Sequence, residues 1–322
     1  MARPKGRLAF CVLALSVSVV VASSAGCSSA SPAAGGFKPS TASPQTPSRS
    51  PVCATGSLDI AGSSAFYPIA QDAAVVYMRD CPGAKISVSD GDSAYGLTKV
   101  HTAVTSGSPS ANSTIGMYDG LPSASETTGL TAYPIGVLIY SVVAHTGLFP
   151  AGDITTQELR EIYTKPGVKG ILAVGRRAGS GTRLTFIMTV LGFNPGPPDR
   201  GNCPPPTGHS FSFTSCTEGS TADLLNFVNI TPHTIGYAEV SGSLTSYPQV
   251  SVININNAAP TPDNVRNGSY KFWIVEHLFA SMHPTALTKD FLAFLPQYIA
   301  SSPPNDFVPC SDALKKVGAD CQ

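Results

Sequence analysis

Small hydroxyl-bearing residues occur at three places where a short apolar run gives way to a helical pattern. The turns are Gly62-Ser63-Ser64-Ala65-Phe66, Asp92-Ser93-Ala94 and Gly179-Ser180-Gly181-Thr182. Free N–H groups and the positive end of the helix dipole suit the start of a helix to an anion. Arg176, just ahead of the third turn, adds a guanidinium that can donate two parallel hydrogen bonds. The pattern predicts an oxyanion site, although a lone Ser or Thr at a helix start is normally only a cap.

Two other kinds of chemistry fit the sequence poorly. Gly179-Ser180-Gly181 lacks the full G-x-S-x-G elbow of a nucleophilic serine, and no His is suggestively placed relative to it. His233 precedes an apolar strand and is expected to be structural. No CxxC occurs, and the six His residues show no metal-ligand spacing. We therefore predict a binding protein rather than an enzyme, with no metal and no cofactor.

The elements that must position these turns alternate between strand and helix, which predicts α/β layers. A capping box, Thr155-x-x-Glu158, opens one helix, and Ser220 caps another. The predicted strands are 58–60, 86–89, 114–117, the longer apolar run 133–143, 170–174 and 235–240. The predicted helices are 66–79, 94–105, 155–163, 184–191, 220–229, 270–279 and 288–300, and 193–217 is predicted as a loop.

The N-terminus carries an export signal. Three basic residues lie within the first seven positions, and the apolar run Leu8–Val21 is too short to span a bilayer. Small residues then lead to Cys27, as in a bacterial lipobox, although Ser24 stands where Leu is commoner. We expect residues 1–26 to be a lipoprotein signal peptide and Cys27 to be acylated, for example with palmitate. An ordinary secretory signal cleaved nearby is the alternative.

Charge and length refine this picture. The 322-residue chain has 20 basic and 20 acidic side chains, and the predicted signal removes three basic residues, which leaves a net charge of about −3. This balance argues against nucleic acid as a partner. Residues 27–52 are rich in Ser, Pro and Ala and are predicted to tether the domain to the membrane.

Six cysteines remain after Cys11 of the signal and Cys27 are set aside. In an exported chain they indicate three disulfides, for which fifteen connectivities are possible. Sequence proximity favours Cys53–Cys81, Cys203–Cys216 and Cys310–Cys321.

The order of several segments carries a resemblance. They are IAGSSAFYP, SVSDGDSAYGLTKV, YPIGVLIYSVVAHTG, TTQELREIYT, ILAVGRRAGSGTRLTF, TPHTIGYAEV and NGSYKFW. In this order they resemble the phosphate-binding lipoproteins of ABC phosphate importers, whose fold is the two-lobe, periplasmic-binding-protein-like type II α/β fold with a ligand cleft between the lobes. The resemblance implies chain crossings near 133–137 and 236–240. Lobe 1 would then be 53–134 with 240–322, and lobe 2 would be 135–239.

The resemblance also implies which residues bind the ligand. They are Ser64, Ala65 and Phe66 in the first turn, Ser93 in the second, Thr114 on the next strand, and Arg176, Ser180, Gly181 and Thr182 at the third. Arg176 would clamp the anion while the third turn cradles it. Ala65 stands where the family usually has Thr, so it offers an N–H without a hydroxyl. Arg177 matches a variable position and is expected on the surface.

One departure bears on selectivity. In the family, an Asp in a strand reading like D-F-G-A-S-D accepts the proton of hydrogen phosphate. The corresponding strand here runs from Thr114 to Asp119, which places Thr114 at the first Asp, and Ala178 replaces a further Asp. A buried carboxylate rejects an unprotonated anion such as sulfate. We therefore expect weaker discrimination, with Asp92 or Asp119 as possible substitutes.

These observations predict a function. We expect a lipid-anchored, monomeric protein on the outer face of a bacterial cell membrane that captures a tetrahedral oxyanion, phosphate foremost. It would deliver the anion to an ABC permease and its ATPase subunits. The alternative is a surface sensor or interaction module on the same fold that has lost transport, motivated by the missing carboxylate and by the 193–217 insertion.

Overall fold

The computed structural model describes residues 53–165, 167–205, 212–239 and 244–310. The predicted signal peptide, Cys27, the tether 27–52 and Cys321 lie outside these residues. Within the part that is described, none of the helices combines the length and hydrophobicity that crossing a bilayer requires.

The described residues form two mixed sheets of six strands each. The first contains β1 (Gly56–Gly62), β2 (Ala84–Asp90), β3 (Thr114–Asp119), β4 (Leu130–Ile139), β11 (Trp273–Ser281) and β12 (Phe307–Pro309). The second contains β5 (Ser141–His145), β6 (Asp153–Ile154), β7 (Leu172–Arg176), β8 (Ser215–Glu218), β9 (Thr234–Ala238) and β10 (Val250–Ile255). Their orders are β12-β4-β11-β3-β1-β2 and β6-β10-β5-β9-β7-β8. Each sheet is the centre of one lobe, so the predicted two-lobe α/β fold is confirmed.

Helices connect the strands and cover the sheets. They are α1 (Tyr67–Asp80), α2 (Ser93–Thr105), α3 (Thr156–Thr164), α4 (Gly181–Thr185), α5 (Thr221–Ile230), α6 (Pro262–Arg266) and α7 (Ala286–Ser301). A π-helical segment, Phe186–Leu191, continues α4. Polar side chains fix where α3 and α5 begin: Thr155 and Glu158 form the predicted capping box of α3, and Ser220 caps α5 by accepting from Asp223 N.

The parallel strands determine where the connecting turns lie. β1 pairs in parallel with β2 and β3, and β7 pairs in parallel with β8 and β9. The carboxyl ends of parallel strands meet at one edge of a sheet, which is where ligands bind in open α/β folds. The turns after β1, β2, β7 and β8 therefore gather where the lobes face each other.

The chain crosses between the lobes later than predicted. β4 belongs to the first sheet up to Ile139 and β5 begins the second at Ser141, so the first crossing is at Tyr140 rather than near 133–137. β10 (Val250–Ile255), which was not predicted as a strand, still belongs to the second sheet. The return crossing therefore lies between β10 and β11 rather than near 236–240, and sheet membership places the lobe boundaries later than 134 and 239.

The segment predicted as a helix over 270–279 is mainly the strand β11. It pairs antiparallel with both β3 and β4, in the middle of the first sheet. Val275 to Ser281 are all buried. A strand covered on both faces shows a continuous apolar run instead of alternation, so periodicity alone does not distinguish it from a buried helix.

Disulfides reinforce both lobes. Cys53–Cys81 and Cys203–Cys216 are bonded, as sequence proximity predicted. Cys310 is also disulfide-bonded, and its predicted partner Cys321 lies outside the described residues.

Candidate functional site

The three turns predicted from the sequence lie close together across the cleft. Ser93 Oγ, at the start of α2 in the first lobe, accepts a hydrogen bond of 3.2 Å from Gly181 N at the start of α4 in the second. Ala94 N donates to Gly179 O over 3.1 Å. Because Ser93 Oγ also accepts from Asp119 N at 3.2 Å, its own proton is free to point elsewhere.

Arg176 is a buried positive charge beside these turns, and it is only 1% exposed. It ends β7, where its N donates to Tyr237 Oη over 3.1 Å. Nη1 donates to Thr221 Oγ1 at 3.0 Å, and Nη2 donates to Ser64 Oγ at 2.8 Å and Gly219 O at 2.9 Å. Nε is buried with no partner among the described residues. All the acceptors of the guanidinium within the described chain are therefore neutral.

The charge of Arg176 is only partly compensated. Burial lowers the pKa of its guanidinium, while the tyrosine and carboxyl groups nearby, Tyr237 and Asp119 first among them, oppose that effect. In the part of the chain that is described, the ion pairs within 4.0 Å do not include it. A buried cation without a bound counter-charge is expensive, so this position favours an anion.

A fourth turn joins the three predicted ones. Gly219-Ser220-Thr221 links β8 to α5, and Thr221 N donates to Ser64 Oγ at 3.1 Å. Thr221 Oγ1 also lies 3.2 Å from Ser64 Oγ. The sequence identified Ser220 as a helix cap but gave no sign that Thr221 would meet Ser64 in the other lobe.

Asp119 is the carboxylate of the site. It ends β3, is only 3% exposed, and its Oδ2 accepts from Thr182 Oγ1 at 3.2 Å. Its Oδ1 is buried without a hydrogen-bond partner in the described residues. The backbone of α4 comes close to it: a Cβ added at Gly181 would lie 2.5 Å from Asp119 Cβ and 2.7 Å from Ser93 Oγ. Position 181 therefore has no room for a side chain.

Thr114 does not lie beside the other predicted site residues. It begins β3 and Asp119 ends it, so the two are roughly 16 Å apart at the usual rise per strand residue. Thr114 Oγ1 donates to Ser110 O at 2.9 Å, which uses its proton locally. The expectation that Thr114 replaces the carboxylate of the site is wrong. Asp119, at the carboxyl end of the same strand, is the residue that faces the other turns.

The remaining predicted residues have mixed surroundings. Ala65 and Phe66 are buried in the first turn, where Phe66 N donates to Ser63 Oγ at 3.1 Å. Ser180 caps α4 by accepting from Arg183 N at 3.2 Å, so its hydroxyl has a structural partner. Arg177 is exposed, as predicted.

Comparisons with known proteins identify the family of this chain. A profile of the PBP superfamily domain matches residues 44–296. The phosphate-binding protein PstS of Bacillus subtilis (strain 168) is 30% identical over 258 residues, which cover 75% of this chain and 76% of the relative. The chain belongs to the family of that protein, within the PBP superfamily. The predicted resemblance is thereby confirmed.

Two solved structures share the fold. One is a phosphate ABC transporter substrate-binding protein from Clostridium perfringens with bound phosphate. Its TM-score is 0.62 at 22% identity, over 78% of this chain and 99% of the other. Another is an ABC-type phosphate transport receptor from Vibrio cholerae, with a TM-score of 0.54 at 21% identity, over 78% of this chain and 100% of the other. At these identities the likeness shows the fold.

Two residues join the predicted turns in the structure: Asp119, which the sequence suggested only as a substitute for the missing carboxylate, and Thr221. A usable signal existed for Asp119, because it is the last residue of a short apolar strand, and strand carboxyl ends face the ligand in such folds. No comparable signal marks Thr221, whose role depends on how the two lobes meet.

Proposed function

We propose that this protein captures inorganic phosphate in the cleft between its lobes and delivers it to an ABC importer, without chemical change. The observation that carries the proposal is Arg176, a buried cation whose bound acceptors are all neutral. A bound oxyanion would supply its missing counter-charge. Charge-assisted hydrogen bonds of this kind are about twice as strong as neutral ones.

Further donors surround the same place. Ser64, Ser93 and Thr182 are buried hydroxyl residues contributed by both lobes. Hydroxyls can reorient toward an anion. A tetrahedral anion presents acceptors in several directions, which matches donors from several turns. We propose Ser64, Ala65, Phe66, Ser93, Arg176, Ser180, Gly181 and Thr182 as the ligand-binding set, extended by Asp119 and Thr221.

Asp119 supports phosphate over sulfate. Its Oδ1 is a buried acceptor with a free lone pair in the described chain. A hydrogen phosphate ion can donate its proton to such an acceptor, whereas sulfate would face an uncompensated like charge. The sequence predicts weak selectivity for phosphate over sulfate because Thr114 replaces an Asp. With Asp119 as the acceptor, we expect that selectivity to be strong. The alternative of a sensor that has lost its ligand depended mainly on a missing carboxylate, and Asp119 supplies one.

Transport requires an extracytoplasmic location and a partner complex. The relatives named above include a substrate-binding protein and a transport receptor for phosphate. The disulfides are consistent with an exported protein. We extend the proposal to a signal peptide over 1–26, a lipid anchor at Cys27, and delivery to a permease and its ATPase subunits.

Calorimetric titration of ligand-stripped protein with phosphate, sulfate, molybdate and tungstate tests the proposal. We expect phosphate to bind, and Arg176→Ala to weaken it at least about tenfold, or about 1.4 kcal/mol. The matched control is Arg177→Ala, because Arg177 is the adjacent arginine and is exposed. Heat from none of the four anions would refute oxyanion capture. Equal losses in the two variants would remove Arg176 from the site.

A further inference from the structure

A second buried carboxyl group lies behind the proposed site. Glu276 of β11 is the direct strand partner of Asp119 of β3. It is 0% exposed, and neither of its carboxyl oxygens receives an N–H or O–H from the described residues in the geometry of a hydrogen bond. Asp119 Oδ1 likewise has no hydrogen-bond partner among the described residues. Two carboxyl groups therefore lie side by side, and Asp119 Oδ1 and both oxygens of Glu276 have no hydrogen-bond partner among the described residues.

The groups around Glu276 provide little positive charge. β3 contributes Asp119 and Tyr118, and Tyr140, which follows β4, has its buried hydroxyl near both Asp119 and Glu276. On its own strand the adjacent titratable group is His277, whose Nδ1 lies 3.2 Å from Val275 O.

Two further elements complete its surroundings. Helix α2 packs on β11, and its Leu97 and Val100 cluster with Phe279 of that strand. From β7, Arg176 is close enough to interact electrostatically with Asp119 and Tyr140. The ion pairs of the described chain include none with Glu276.

This arrangement determines where a proton resides. Burial raises the pKa of Glu276 well above its ordinary value, and the charge of Asp119 and hydrogen bonding to it raise the pKa further, while the nearby backbone N–H of Tyr118 opposes them. Two adjacent carboxylates in a buried site cannot both ionise. Asp119 accepts the Thr182 hydroxyl and lies near Arg176, so the geometry favours Glu276 as the holder of the proton.

We propose that Glu276 is a neutral carboxylic acid that donates its proton to Asp119 Oδ1 and so positions Asp119 as the acceptor for a protonated oxyanion. The inference rests on the proposed function and assigns to Glu276 a positioning role in selectivity. A single proton gives a hydrogen-bond partner to one oxygen of Glu276 and to Asp119 Oδ1, and the second lone pair of Oδ1 stays available to the oxyanion. The shared proton also limits the pair to one negative charge. If Glu276 were ionised, two negative charges would lie beside the anion site.

The test compares Glu276→Gln with Glu276→Leu. Gln is neutral and keeps an N–H donor, whereas Leu fills similar space without one. With phosphate and sulfate as probes at neutral pH, we expect Gln to preserve phosphate affinity to within about threefold. Leu should lower the phosphate-over-sulfate ratio at least about tenfold. The proposal is overturned if Gln tightens phosphate binding tenfold or more, because Glu276 would then be charged. It is also overturned if Leu leaves the ratio unchanged.

Infrared difference spectroscopy of ligand-free protein tests the protonation state directly. Wild type should show a protonated-carboxyl C=O band that Glu276→Gln lacks. The control Glu126→Gln should keep the band, because Glu126 is an exposed carboxyl whose pKa is lowered by hydrogen bonds from Ser123. No band lost in Glu276→Gln overturns the proposal, even if Glu276→Leu fails to fold. If wild type bound no phosphate, the proposed function would fail, while the infrared result would still decide the state of Glu276.

Discussion

Replacing Glu276 with Gln should change how the stability of this protein depends on pH. In the unfolded chain Glu276 loses its proton around its ordinary pKa of 4.5, whereas burial and Asp119 keep it protonated in the folded state. The folded protein therefore binds one more proton than the unfolded chain above that pH. Stability from this group is complete at acid pH and is lost as pH rises toward the raised folded value.

The magnitude follows from proton linkage. One proton held only by the folded state lowers the free energy of unfolding by about 1.4 kcal/mol per pH unit. Between about pH 5 and pH 7 the wild-type protein should lose up to about 2.7 kcal/mol through Glu276. Gln cannot ionise, so the variant lacks this loss. Its stability relative to wild type should rise steadily over that interval.

Urea denaturation of ligand-free wild type and Glu276→Gln across this pH range measures the effect. The difference between the two free energies of unfolding cancels the other titrating groups, provided the m-values agree. We expect that difference to become more favourable to the variant at each higher pH. Two parallel stability curves would refute the reasoning, because they would mean that Glu276 ionises equally in the folded and unfolded states.

Further substitutions test other parts of the site. In calorimetric titrations, Asp119→Asn should weaken phosphate binding by about 1.5–3 kcal/mol, or roughly 10- to 150-fold, and should strengthen sulfate binding. Thr114→Val should leave the phosphate-over-sulfate ratio unchanged. A loss in the second variant but not the first would restore the sequence-based assignment. Gly181→Ala should weaken phosphate binding roughly 5- to 100-fold, since the added methyl overlaps Asp119, and unchanged affinity would show that the lobes close differently. Replacing Cys203 and Cys216 together with Ser should lower the free energy of unfolding by about 3 kcal/mol in urea titrations while phosphate still binds; a larger loss of affinity than of stability would link the insertion to the site.

Much of the local structure could be predicted from the sequence because caps and short strands depend on neighbouring residues. The capping box at Thr155 and the cap at Ser220 form as predicted. The strand at 270–281 could not be predicted, because burial on both faces removes the alternation that identifies a strand. The chain crossings were placed too early because β10 was not recognised as part of the second sheet.

The candidate site divides in the same way. Ser64, Ser93, Arg176 and Gly181 were predicted from turns and from a motif, and the structure joins Ser93 to Gly181 and Arg176 to Ser64. Thr114 was chosen over Asp119 because the sequence shows both residues of one strand without showing which end faces the cleft. The direction of a strand relative to the ligand is a property of the sheet.

By itself, the sequence determined the family, the two-lobe class, the phosphate-type turns and two of the cysteine pairings. Each depends on residues that are close in sequence or on a motif of fixed spacing. Only the tertiary structure decided that Thr221 meets Ser64, 157 residues away, and that Glu276 lies beside Asp119. Strand order and register create those pairs, and burial then determines their chemistry. Because water cannot reach these groups, the carboxyl group of Glu276 keeps its proton, and the buried charge of Arg176 is stabilised by a bound anion.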